Sequence, residues 1–174
     1  MLFLKISLLI MGLSGMTAQI VLLRELLISF FGNELTLGII LANWLIIEAI
    51  GSFLIGKTVE KTERKVEIYA SFQLIFSLAF PLAIYLSRIF KNILLVTPGE
   101  GLGFVPIFYS SFLILLPVAL PHGALFTYGC KIYARNIRED ASSIGKVYAL
   151  ETIGSIIGGL GVTFLLIQYL NSFE

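Results

Sequence analysis

The chain has 174 residues, of which 57% are hydrophobic and 13% charged, with a formal net charge of +1. A soluble domain is about 25% charged and must cover its residual surface with polar groups, so this composition excludes a soluble globular protein and points to an integral membrane protein. One Cys (Cys130), one His (His122) and one Asp (Asp140) exclude a disulfide framework and a Cys/His zinc site, and the near-neutral charge gives no footprint for nucleic acid.

A transmembrane helix needs about 20 mostly apolar residues. The first such stretch covers 6–23, and its helical pattern can continue to Phe31. Its leading segment carries only Lys5, and Met16-Thr17-Ala18 is a poor cleavage site, so it reads as a span rather than a signal peptide. The second stretch covers 35–55, with Glu34 placed to meet the positive end of the helix dipole. A hydrophilic connection of mixed charge, 57–67, leads to the third stretch, 68–86. Residues 92–104 carry Pro98, Gly99, Gly101 and Gly103 and predict a flexible loop. Pro106 stands where a nucleotide-binding loop needs its third glycine. The fourth stretch, 105–130, contains Pro106, Pro117 and Pro121, which predict a kink and leave a re-entrant path open. The fifth covers 147–170. The expected fold is an all-α bundle of five transmembrane helices in one domain, 1–174, with no cofactor and the lipid bilayer as its first partner.

Orientation follows from the basic residues. Lys5, the 57–67 connection and the 131–146 connection place nine Lys and Arg on one side, against Arg24, Arg88 and Lys91 on the other. The rule puts the nine-residue side and the N-terminus in the cytoplasm, in a multi-pass protein of the cell membrane.

Small residues mark close-packing faces. Gly154-x-x-x-Gly158 and Ser155-x-x-x-Gly159 overlap in the fifth span, and Gly12, Gly15, Gly38, Ala42, Ala49 and Gly51 offer similar faces in the first two. Such faces let backbones approach closely in lipid. Intramolecular packing is the expected use, and a homo-oligomer interface is the alternative.

Glu48, His122 and Glu151 lie within apolar sequence. From the helical rise, Glu48 and His122 are each about 13 Å from the nearest basic boundary and Glu151 about 8 Å. An unpaired charge there costs about 2.5–3.5 kcal/mol or more. Asn43, Thr127, Tyr148 and Thr152 share the same helices. One reading is a cation or proton site in which His122 shuttles protons. The other makes the carboxylates protonated or hydrogen-bonded structural groups, with Glu151 paired to Lys146. Arg24 and Glu25 fall near the opposite boundary, where they either find ion-pair partners or bend the chain into an interfacial helix over 26–31.

Residues Gln19 to Leu27, then Phe31-Gly32-Asn33-Glu34-Leu35, Gly51-Ser52 and Gly56 resemble the N-terminal membrane region of spermidine synthase-like membrane proteins. Pro121-His122-Gly123-Ala124-Leu125-Phe126 and Gly145 to Gly154 are similar to that family's later membrane motifs. The resemblance implies a multi-span region that precedes a cytosolic aminopropyltransferase-type domain. The glycine-rich loop and essential Asp residues of that domain have no matching positions here. The chain therefore reads as the membrane part alone: a truncation, a split product or a degenerate copy without catalytic activity of its own. It would anchor a synthase-type domain, or handle a polyamine-like cation at the membrane. The alternatives are a small transporter or half-transporter unit working as an oligomer, and an assembly subunit with a neighbouring membrane protein as partner.

Overall fold

In hydrocarbon no water satisfies backbone groups, so an apolar chain folds into helices that close their hydrogen bonds internally. The computed structural model describes residues 2–59, 61–93, 103–137 and 140–166. It contains α1 (Leu2–Ser29), α2 (Glu34–Ile50), α3 (Lys65–Ile93), α4 (Phe104–Ile137) and α5 (Asp140–Gly161). All five are long and apolar enough to cross a membrane, and no strand occurs among the described residues. α2 and α5 each continue as a π-helical turn, Gly51–Ile55 and Val162–Leu166.

α1 runs unbroken past Arg24 and Glu25, so the separate interfacial helix over 26–31 is not formed. It ends where Phe31 takes a φ of 48° and the Gly32 N–H donates to the Leu27 carbonyl at 3.0 Å. This is a Schellman closure in which phenylalanine, not glycine, holds the left-handed position, at a cost of about 1–2 kcal/mol. Asn33 then caps α2. Its side chain accepts from the Thr36 N–H, and the Thr36 hydroxyl accepts from the Asn33 N–H, a reciprocal box that turns the chain within a few residues.

α4 is one helix of 34 residues that contains both Pro117 and Pro121, so the fourth span is not re-entrant. α5 starts at Asp140, before the expected position 147. Residues 167–170 of the expected fifth span and 94–102 of the glycine-rich connection lie outside the described residues.

The contacts fix the direction of each helix. Ser7 meets Tyr69 and Glu25 meets Arg88, so α1 and α3 run parallel. Asn43 meets Phe108, and Ser52 meets Thr127, so α2 and α4 run parallel. Gly15 lies against His122 and Leu8 against Gly129, so α1 and α4 are antiparallel. Every helix thus returns across the bundle in the sense opposite to the one before it. The connection between α2 and α3 marks one end of the bundle, called the basic end below because Lys57, Arg64 and Lys65 lie there.

Two apolar clusters fill the interior. One, nearer the α1–α2 turn, includes Leu22, Leu26, Phe30, Trp44 and Leu115; the other, nearer the basic end, includes Leu8, Met11, Leu125, Tyr128 and Val147. Leu37, Leu78, Leu113 and Ile157 remain exposed on the perimeter, the surface that lipid rather than water would cover. The seam between α1 and α5 is tight. A Cβ at Gly12 would strike the Glu151 carbonyl, one at Gly154 the Leu9 carbonyl and one at Gly158 the Leu13 carbonyl. The small faces of α1 and α5 thus meet each other within one chain. Gly159 is different, since a Cβ there would make only an ordinary contact with Met16.

Candidate functional site

The site is built where α2 and α4 come close. A Cβ at Gly123 would strike the Glu48 carbonyl, and one at Gly51 the Leu120 carbonyl. Without those methyl groups, the Glu48 side chain reaches His122, and its Oε1 lies 2.5 Å from Nδ1. On the other side of the ring, Nε2 lies 3.3 Å from the Met11 carbonyl of α1. Gly15, one turn further along α1, leaves room for the ring, because a Cβ there would overlap Nε2 and Cε1. Trp44 and Phe76 flank the imidazole, with ring centroids at 6.3 and 5.5 Å.

These partners settle where protons sit. A carbonyl only accepts, so Nε2–H donates to Met11. Nδ1 and the Glu48 carboxyl then share one proton. Either neutral imidazole accepts from a carboxylic acid, or imidazolium donates to a carboxylate, and the pair is net neutral in both forms. The His122 side chain is 10% exposed and that of Glu48 is 24% exposed. A charge-compensated pair is the form such burial favours.

Glu151 comes from α5. Its Oε1 lies 3.2 Å from the Ser155 hydroxyl, which is also 3.2 Å from the Gly12 carbonyl. Ser155 has one proton to give. When Glu151 is ionised, the hydroxyl donates to it; when Glu151 is protonated, it donates to Ser155, which then donates to Gly12. No Glu151–Lys146 ion pair occurs among the described residues; Ser155 is the partner instead.

Glu48, His122 and Glu151 line one cavity of 320 Å³, whose apolar walls include Leu45, Phe126 and Tyr148. Ser52, in the π-helical turn, lines this cavity, a second of 210 Å³ and a groove that carries Lys57 and Lys131 toward the basic end. The Ser52 hydroxyl is 2.7 Å from that of Thr127. Among the described residues, no three His, Cys, Asp or Glu side chains are grouped to hold a metal ion.

The other sequence candidates lie elsewhere. Asn43 is fully buried and donates to the Phe108 carbonyl and Ser111 hydroxyl. Glu25 is buried and accepts from both Nε and Nη2 of Arg88, at 2.8 and 3.1 Å, while Arg24 is exposed. Gly154 and Gly158 serve the seam with α1, and Ser155 ties that seam to Glu151. Sequence reasoning missed the Met11 carbonyl, the aromatic flanks of His122 and Arg88 as the partner of Glu25. The available signal was Gly15, which strips the side chain from α1 one turn beyond Met11. No family model, curated protein or solved structure matches the chain.

Proposed function

We propose that this protein binds a cationic, amine-bearing ligand inside the membrane, with the ammonium group held among Glu48, His122 and Glu151. One observation carries the reading: three ionisable side chains from three apolar helices converge on one cavity, at a depth where polar groups are costly unless they serve a ligand or a relay. The Glu48–His122 pair is neutral as a unit, so Glu151 supplies the charge that a cation would neutralise. The basic end faces the cytoplasm by the charge rule, which makes this a multi-pass protein with its N-terminus inside. The motifs quoted above add the finer reading of a membrane unit beside a synthase-type domain.

The test uses Trp44, the chain's sole tryptophan, whose ring is next to His122. Protein in lipid nanodiscs is titrated with a panel of protonated amines and their neutral alcohol analogues while Trp44 emission is followed. Saturable changes with amines alone, lost in the Glu48→Gln/Glu151→Gln double variant, are expected. No saturable response to any amine, or an unchanged response in the double variant, removes the proposal.

A second reading is favoured by the proton shared between Glu48 and His122. A small transporter unit would couple amine movement to that proton. Crosslinking in membranes and pH-driven uptake into proteoliposomes separate it from a binding unit.

A further inference from the structure

The cavity also carries information about the rest of its ligand. Its polar end offers little net charge. The Glu48–His122 pair shares one proton and is neutral, so Glu151 is the one remaining carboxyl of the cavity, and the site can offer at most a single negative charge to a ligand. A ligand with several ammonium groups would bring surplus charge into a low-dielectric site, at about 2.5–3.5 kcal/mol or more for each unpaired group.

The cavity opens sideways. α2 and α5 each pack on α4, but among the described residues they do not form a packed pair with each other. Leu45 of α2 and Tyr148 of α5 flank the resulting gap, each 61% exposed, and both line the cavity. Ala49 is exposed on the same rim. These residues lie within about one helical turn of Glu48 and Glu151, so the opening is level with the carboxylates and faces the bilayer. The route from the basic end is different. There the groove is lined by Lys57, whose ammonium sits 4.0 Å from the centre of the Phe53 ring and meets an arriving cation with like charge.

We infer that the ligand is a singly charged amphipathic amine, entering from the bilayer between α2 and α5. Its ammonium rests at Glu151 beside the Glu48–His122 pair, and its alkyl tail lies along Leu45, Phe126 and Tyr148 into the lipid. This inference rests on the cation-binding reading above and deepens it.

Dodecylamine is the probe. Tritiated dodecylamine is bound to the full chain in phosphatidylcholine nanodiscs and read by scintillation proximity, with concentrations expressed per lipid so that simple partitioning is subtracted. Excess unlabelled dodecylamine should displace it, whereas spermidine and dodecanol at the same concentration should not. Glu151→Gln should weaken binding about tenfold, which is about 1.4 kcal/mol. Ala49→Phe, which fills the side opening and leaves the three ionisable groups in place, should weaken it by a similar factor. Thermal melting of each variant shows whether it is folded.

If spermidine displaces the probe as well as dodecylamine does, the inference falls while the cation site stands. The same holds if a folded Ala49→Phe binds as the wild type does. If dodecanol displaces the probe equally, no ammonium is recognised and both readings fall; if a folded Glu151→Gln binds unchanged, the inference falls, and the Glu48→Gln/Glu151→Gln double variant judges the cation site. An absence of displaceable binding overturns the inference and leaves the amine panel to judge the site.

Discussion

Glu25 and Glu48 are both carboxylates in apolar helices, and both contact a basic side chain from another helix. Glu25 uses both of its oxygens on one Arg88 guanidinium, beside Leu22 and Leu26 of the larger apolar cluster. Glu48 uses one oxygen on His122 and opens on a cavity shared with Glu151. The fork on Glu25 ties two helices and occupies both oxygens of its carboxylate. The single contact on Glu48 holds a shared proton between Nδ1 and Oε1 at the wall of a cavity. Charge inside a membrane bundle therefore divides by how completely it is matched. Full matching ties helices together, and partial matching beside a cavity is where the proposed ligand would bind.

The strongest way to break this contrast is to remove Arg88. Arg88→Ala strands a buried carboxylate and should cost about 3 kcal/mol, the low end for a buried pair, because the Arg88 side chain is 49% exposed to begin with. Unfolding in mixed detergent micelles measures it. Adding Glu25→Gln to Arg88→Ala should recover part of the loss, since no bare charge then remains. A loss under about 1 kcal/mol for the single variant would put the pair with ordinary surface salt bridges instead.

A smaller effect is expected where the site leans on α1. Gly15→Ala pushes a methyl group into the His122 ring, which Glu48 holds on one side and Trp44 and Phe76 flank. Overpacking of this kind costs about 2 kcal/mol, and the displaced ring loses the Met11 carbonyl. Both stability and the Trp44 response to amines should fall. Gly38→Ala is the control: nothing lies within 4 Å of a Cβ there, so it should leave stability equal or raise it by about 0.5–1 kcal/mol through helix propensity. If the two substitutions behave alike, the ring is not seated on α1.

The five helices were legible because each is an apolar run of spanning length. Their ends were less so. α5 begins at Asp140 and α4 continues to Ile137 through polar residues that an apolar count stops short of. The turn at Phe31 was hidden because a left-handed residue is expected to be glycine, and here the glycine is one position later. For the site, helical rise gave the depth of Glu48, His122 and Glu151, but not the direction in which each points. α1 is apolar on every face, so its periodicity holds almost no facing information. The Glu25–Arg88 pair joins residues 63 positions apart, and a single sequence carries no local signal for such a contact.

Within the site itself, the smallest expected change in stability is also the finest probe of the contrast. In Glu48→Gln, the amide donates to Nδ1 of neutral His122, so the hydrogen bond survives and unfolding should shift by under about 1 kcal/mol. The charge of the site is also preserved, because a neutral pair replaces a neutral pair. Amine binding should therefore weaken by only about threefold, against about tenfold for Glu151→Gln. The ratio of the two effects reports where the free negative charge resides. If Glu48→Gln instead causes the larger loss, the charge that meets the ligand belongs to Glu48, the shared proton has passed to Glu151, and neutral His122 donates from Nδ1 to the Glu48 carboxylate at the expense of its hydrogen bond to the Met11 carbonyl.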